Sequence, residues 1–166
     1  MMILTVLTDG FFAAIAAIGF GAISCPPRRA FLYIALLAAI GHALRFLLLY
    51  LGGDLATSSF IASFFIGLGS LWLGSLIFCP MTTLYIPALL PMIPGMYAYK
   101  TVFALIMFLQ HLNDSILSQQ YMQELFLNAL VTCSVLFALA VGATIPIFIF
   151  SKKAYSLTRH SYEDQF

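Results

Sequence analysis

The sequence predicts an all-α, polytopic membrane helix bundle of five spans. Three observations carry that prediction. The 166 residues are 63% hydrophobic and only 8% charged. Their mean hydropathy is +1.04. The apolar residues gather into five runs, each as long as the roughly 20 residues that a helix needs to cross a bilayer. A soluble domain is about 25% charged, and seven Lys/Arg with six Asp/Glu cannot cover the surface of one. The composition therefore excludes a soluble enzyme and a disordered tail. A net charge of +1 offers no basic field for phosphates, so it also excludes a nucleic-acid binder. The lipid bilayer is the expected surroundings of this chain.

The first run covers about residues 3–24 and is interrupted only by Asp9-Gly10. Cys25-Pro26-Pro27-Arg28-Arg29 breaks it. The second covers 30–51 and carries His42 and Arg45; Gly52-Gly53-Asp54 then turns the chain. The third covers 57–78 and stops at Cys79-Pro80. The fourth, 84–110, contains Pro87, Pro91, Pro94 and Gly95. His111 to Gln123 reads as a polar loop, and the fifth run covers 124–150. Residues 1–150 thus form one transmembrane domain, and 151–166 a polar cytoplasmic tail. Lipid supplies no hydrogen bonds, so backbone there must satisfy itself as helix or closed barrel. Barrel strands alternate polar and apolar residues over about ten positions, and these runs do not. They are helices.

Small residues recur every four positions in four of the runs: Ala13, Ala17, Gly21; Ala35, Ala39, Ala43; Ser59, Ser63, Gly67; and Ser134, Ala138, Gly142. Such stripes let helices approach closely in lipid, and they also leave room for a partner chain or a homo-oligomer. Basic residues set orientation. Arg28-Arg29 follow the first run, and Lys152, Lys153 and Arg159 follow the fifth. The two remaining loops carry only acids. Both basic clusters belong on the cytoplasmic side, which puts the N-terminus outside and the C-terminus inside.

Four ionisable residues fall inside the runs: Asp9, His42, Arg45 and Lys100. Charge in lipid is costly and marks function by default. At ~1.5 Å per helical residue, His42 lies about 18 Å and Arg45 about 22 Å from the cytoplasmic edge. On the same rise Asp9 comes to about 21 Å, Lys100 and Asn128 to about 24 Å, and Pro94-Gly95 to about 16 Å. They share one slab. Each has a plainer reading beside the functional one. Asp9 suits a helix start at the interface, Lys100 can snorkel to water, and His42 can be a neutral interhelical hydrogen-bond partner. Arg45 is harder to explain away, because it keeps its proton. It lies three positions after His42, so the two share a helix face.

The segment Ile86 to Gly95 cannot be one regular helix. Each proline removes a backbone donor and crowds the preceding turn. Either it is a simple kink, or two half-helices meet there. In the second case the later half starts near Pro94-Gly95-Met96 and aims its N–H groups at an anion. With Arg45 at similar depth, that arrangement suits a small carboxylate. Cys25, Cys79 and Cys133 are scattered, with no CxxC or zinc spacing, so no metal or cofactor is expected. HExxH, GxSxG and paired intramembrane aspartates are absent; the chain does not read as an enzyme.

Taken in order, Arg28-Arg29-Ala30, the GHxxR pattern Gly41-His42-Ala43-Leu44-Arg45, and the PxxPG pattern Pro91-Met92-Ile93-Pro94-Gly95 with Tyr97 and Tyr99 resemble the threonine/serine exporter (ThrE) family. Asp9, Gly19-Phe20 and the stretch from Gly142 to Pro146 fit as well. The resemblance covers residues 8 to 150 and is to the second membrane half, which some members carry as a separate small protein. It implies a subunit of a secondary transporter in the bacterial inner membrane. That transporter would export threonine and serine, or dicarboxylates such as succinate, alongside a larger membrane subunit of the same family. Lys100 stands outside the pattern. On this reading Arg45, His42, Pro94, Gly95 and Asn128 bind substrate, and Asp9 and His42 carry a coupling proton. The alternative is an assembly or scaffold subunit that binds no substrate; it accounts for the small-residue stripes but not for the intramembrane charges.

Overall fold

The computed structural model describes residues 2–150; side chains are described from Leu4 onward. The polar tail with Lys152, Lys153 and Arg159 lies outside the described residues. Every regular element among the described residues is helical. They are α1 (Met2–Ile23), α2 (Ala30–Tyr50), α3 (Leu55–Ile77), α4 (Met81–Leu89) with a following 3-10 turn (Leu90–Met92), α5 (Gly95–Gln110) and α6 (Ser115–Ile149). By length and composition α1, α2, α3 and α6 can each cross a membrane, and α4 with α5 makes a fifth span if the pair is counted as one.

Turn chemistry sets several boundaries. Helix α2 ends where Gly52 adopts φ +91°, a conformation that glycine takes without steric cost. The Gly52 and Gly53 N–H groups donate back to the Leu49 and Leu48 carbonyls at 3.1 and 3.0 Å, which satisfies the last turn in the Schellman manner. Asp54 then caps α3, its carboxylate accepting from the Thr57 N–H at 2.9 Å. Hydrogen bonds from the Thr57 hydroxyl and then its N–H hold the Asp54 carboxyl below the usual carboxylate range. Asp114 does the same for α6, accepting from the Ile116 and Leu117 N–H groups at 3.0 and 3.1 Å. That cap starts α6 at Ser115. The polar stretch expected as a loop through Gln123 is therefore mostly helix, and only its first residues form the turn. Ser, Gln and Glu are compatible with helix; what they disfavour is lipid, and hydropathy alone does not separate the two.

The described chain divides into two compact units: residues up to Met92 with the end of α6 from Ala138, and residues Ile93–Phe137. In the first, α1 packs on α2 and α4, α2 on α3 and α4, and α3 on α4. Small residues make these approaches possible. Ala13, Ala17 and Gly21 are buried on α1, and Ser59, Ser63 and Gly67 on α3. The expected stripe on α2 sits elsewhere. Ala30, Ile34, Leu37, Ala38 and Gly41 are its buried residues, while Ala35, Ala39 and Ala43 are half-buried. Ser134 is exposed, although Ala138 and Gly142 are buried. Fourfold spacing fits several faces of an alanine-rich helix equally well, so spacing alone does not select the packed one.

Three of the four buried α3 serines cost little, because each of these hydroxyls bonds a carbonyl of its own helix, whereas the buried Ser58 hydroxyl has no hydrogen-bond partner among the described residues. Ser59 donates to Leu55 at 2.6 Å, Ser63 to Phe60 at 2.9 Å and Ser70 to Gly67 at 2.7 Å. Ser63 also lies 3.3 Å from the Ala138 carbonyl on α6. In the second unit, α5 and the first part of α6 are joined through the turn at His111, whose Nδ1 lies 2.8 Å from the Met107 carbonyl.

At the α3–α6 contact a Cβ on Gly67 would stand 2.5 Å from the Ala143 carbonyl oxygen, and backbone cannot yield as a side chain can. Gly67→Ala should lower unfolding free energy in mixed micelles by about 1–3 kcal/mol, the usual cost of overpacking. Gly19→Ala, where a Cβ meets nothing within 4 Å, should be neutral or slightly stabilising. Equal effects at the two positions would contradict this packing.

Candidate functional site

The close approach of α1 and α2 builds the site. A Cβ on Gly10 would lie 3.2 Å from the Ala39 carbonyl oxygen, so the two backbones nearly touch there. Asp9 precedes Gly10, and His42 lies one turn beyond Ala39. That register brings their side chains together: His42 Nδ1 is 3.0 Å from Asp9 Oδ2. The His42 side chain is 16% exposed and that of Asp9 44%. Gly41 supports the pair from behind. A Cβ there would run into the Ile66 side chain of α3, so glycine lets α2 seat His42 deep between its neighbours.

Arg45, three residues on, shares the His42 face of α2. Its Nη1 donates to the Met92 carbonyl oxygen at 2.6 Å. Met92 ends the 3-10 turn after α4 and is fully buried. In an unbroken helix its carbonyl would accept from the N–H four residues later. Here the helical path is interrupted at Ile93-Pro94, so the regular donor four residues on is lost. The carbonyl at the end of α4 is left for a side chain, and Arg45 takes it. A helix C-terminus carries partial negative charge, so a cation is well placed there. The Asp9 carboxylate also acts electrostatically on Arg45. Asp9, His42, Arg45 and the Met92 carbonyl thus form one cluster in the first unit.

The other expected site residues fall in the second unit. Pro94 precedes α5 with φ −78° and ψ 67°. The Gly95 N–H donates to the Ile93 carbonyl at 2.8 Å, and those of Tyr97 and Ala98 to the Pro94 carbonyl at 3.0 and 3.2 Å. These donors are engaged within their own segment. Lys100 is exposed on α5. The Asn128 amide donates to the Glu124 carbonyl at 2.6 Å, bonding back along α6. Among the described residues no group of three or more His, Cys, Asp or Glu side chains could hold a metal ion.

Sequence reasoning did not reach the Met92 carbonyl. It is a backbone atom, and the only signal for it was the proline two residues later. The cluster otherwise holds one permanent cation, one carboxylate, one imidazole and one helix-end carbonyl. The guanidinium presents five donors in a planar fork that matches a carboxylate, and the single Met92 contact leaves most of the fork for other acceptors.

Apolar helices long enough to cross a membrane, carrying a hydrogen-bonded polar cluster, are features of membrane transport proteins. Residues 9–149 match the family model described as Threonine/Serine exporter, ThrE, and the chain belongs to that family. It is also 31% identical over 153 residues to an uncharacterized protein of Haemophilus influenzae, across 92% of this chain and 50% of that protein. The chain therefore spans about half the length of this curated relative. No solved structure matches it.

If the 3.0 Å Asp9–His42 contact holds the cluster together, the two positions are energetically coupled. A double-mutant cycle with Asp9→Ala and His42→Ala, read by unfolding in micelles, should give an interaction energy of about 0.5–3 kcal/mol. Simple additivity would contradict the pair.

Proposed function

We propose that the chain is the small subunit of a secondary exporter of threonine and serine in a bacterial inner membrane, and that Arg45 holds the carboxylate of the transported molecule. The single observation that carries this reading is the Arg45 guanidinium, placed on an apolar helix beside the Asp9–His42 pair and occupied by a backbone carbonyl. A neutral carbonyl is a weaker partner for a guanidinium than a carboxylate, because charge-assisted bonds are roughly twice as strong. A substrate carboxylate therefore exchanges favourably with the Met92 carbonyl. The released carbonyl, with its partial negative charge, and the Asp9 carboxylate then face the ammonium group of an amino acid. A dicarboxylate would need a second cation, and Arg45 is the one permanent cation of this cluster. That charge balance favours an amino acid over a succinate-type substrate.

Asp9 and His42 can pass a proton along their shared hydrogen bond, and imidazole is the side chain suited to change charge near neutral pH. This supports proton coupling through the pair. The site proposed here is built from the first unit alone, and Pro94, Gly95 and Asn128 are not needed for it. Orientation follows from Arg28-Arg29, with the N-terminus outside and the C-terminus in the cytoplasm. The larger partner subunit is supported by the Haemophilus influenzae relative, half of which lies beyond the aligned region.

Efflux from cells carrying Arg45→Ala, with protein level controlled, tests the reading. Removing a charge-assisted bond costs about 1.5–3 kcal/mol, so export should fall about tenfold or more. Arg45→Lys, which keeps the charge without the fork, should fall in between. Undiminished efflux from Arg45→Ala would overturn the site and favour a scaffold role.

A further inference from the structure

The cluster contains one polar atom that the reading above leaves idle. The Nε2 of His42 is buried and has no hydrogen-bond partner among the described residues. The other ring nitrogen is fixed by Asp9 at 3.0 Å. An ionised carboxylate only accepts, so the Nδ1 facing it carries the proton and Nε2 is left with a lone pair. A buried acceptor with nothing to accept is costly, and native proteins rarely keep one without a use for it.

The chemistry of the neighbouring groups narrows what Nε2 receives. An ammonium group is better served by the Asp9 carboxylate and the Met92 carbonyl, both of which are negative. A carboxylate is better served by Arg45. What remains is a neutral group that can donate. A hydroxyl fits for a further reason: it donates to Nε2 when the imidazole is neutral and accepts from Nε2–H when the imidazole is charged. An ammonium suits only the first state and a carboxylate only the second. His42 and Arg45 sit three residues apart on one helix face, about 5–6 Å between Cβ atoms. That spacing suits a small molecule whose hydroxyl stands two carbons from its carboxylate.

We propose that His42 Nε2 reads the β-hydroxyl of the transported amino acid and makes the exporter selective for hydroxy amino acids over their deoxy counterparts. The proposal rests on the carboxylate site at Arg45. It assigns His42 a specificity role through Nε2, beside any proton role through Nδ1.

The test is counterflow exchange in proteoliposomes holding the complete exporter assembly, without a pH gradient, so that net proton movement is not required. L-Serine and L-alanine form one pair, and L-threonine and L-2-aminobutyrate the other; within each pair only the hydroxyl differs. The wild type should exchange the hydroxy member about tenfold or more faster, the penalty for leaving one buried polar atom unpaired. In His42→Leu the ratio should fall towards one, the hydroxy members losing more exchange than the deoxy members. His42→Gln, which keeps a hydrogen-bonding group at the end of the side chain, should retain much of the ratio. A wild-type ratio near one overturns the proposal outright. So does an unchanged ratio in His42→Leu, or an equal loss for both members of a pair in His42→Leu and His42→Gln alike. With Arg45→Ala inactive, those results remove the hydroxyl contact alone. Undiminished exchange by Arg45→Ala removes the carboxylate site, and with it the hydroxyl contact built on it.

Discussion

A hydrocarbon core offers no hydrogen bonds, so every polar group carried into it must find its partner within the protein. This constraint shapes much of the first unit, where His42 Nε2 and the Ser58 hydroxyl are the buried polar atoms left without a partner among the described residues. It explains why the α3 serines turn back onto their own helix, and why Asp9 and His42 meet across two helices. It also explains the place of Arg45. A guanidinium cannot shed its proton, and in this bundle it lies on the carbonyl that the interrupted helix at Met92 leaves available. The broken helix and the buried cation are therefore two halves of one arrangement. The break after Met92 leaves its carbonyl without a helical donor, and Arg45 of α2 supplies one.

In the proposed function this partnership is also the working element. A guanidinium held by a strong counter-ion would be inert, and one left without a partner would be too costly to keep. A backbone carbonyl lies between these extremes. It stabilises Arg45 and, in the proposed function, yields it to a stronger anion. Asp9 links the two other members of the cluster, bonding His42 directly and acting on Arg45 through its charge. A change of proton on the Asp9–His42 pair consequently alters the field at the guanidinium. That is the physical route by which a proton and a carboxylate can influence each other in this site.

Much of this was legible in the sequence, for definite reasons. Charged residues are so scarce that Asp9, His42 and Arg45 stood out once the apolar runs were drawn, and the i, i+3 spacing of His42 and Arg45 fixed their common face. The partner of Arg45 was not legible, because a carbonyl has no letter in the sequence. The packed face of α2 was only partly legible, because alanines at 35, 38, 39 and 43 allow several stripes: Gly10 does meet Ala39 of the expected one, but the fully buried residues are Ala30, Ile34, Leu37, Ala38 and Gly41. The early start of α6 was missed because polarity reports on lipid rather than on helix, and the Asp114 cap decides the boundary. The match to the exporter family over residues 9–149 agrees with the ordered motifs at Gly41–Arg45 and Pro91–Gly95, which carried the resemblance.

The central claim is that Arg45 exchanges the Met92 carbonyl for the carboxylate of a transported amino acid. Equilibrium binding of radiolabelled L-serine to the purified exporter assembly, wild type against Arg45→Ala, tests it without any transport step. The account predicts saturable binding by the wild type, weakened about tenfold or more in the variant, as expected for the loss of a charge-assisted pair. Equal affinity in the two proteins would contradict it.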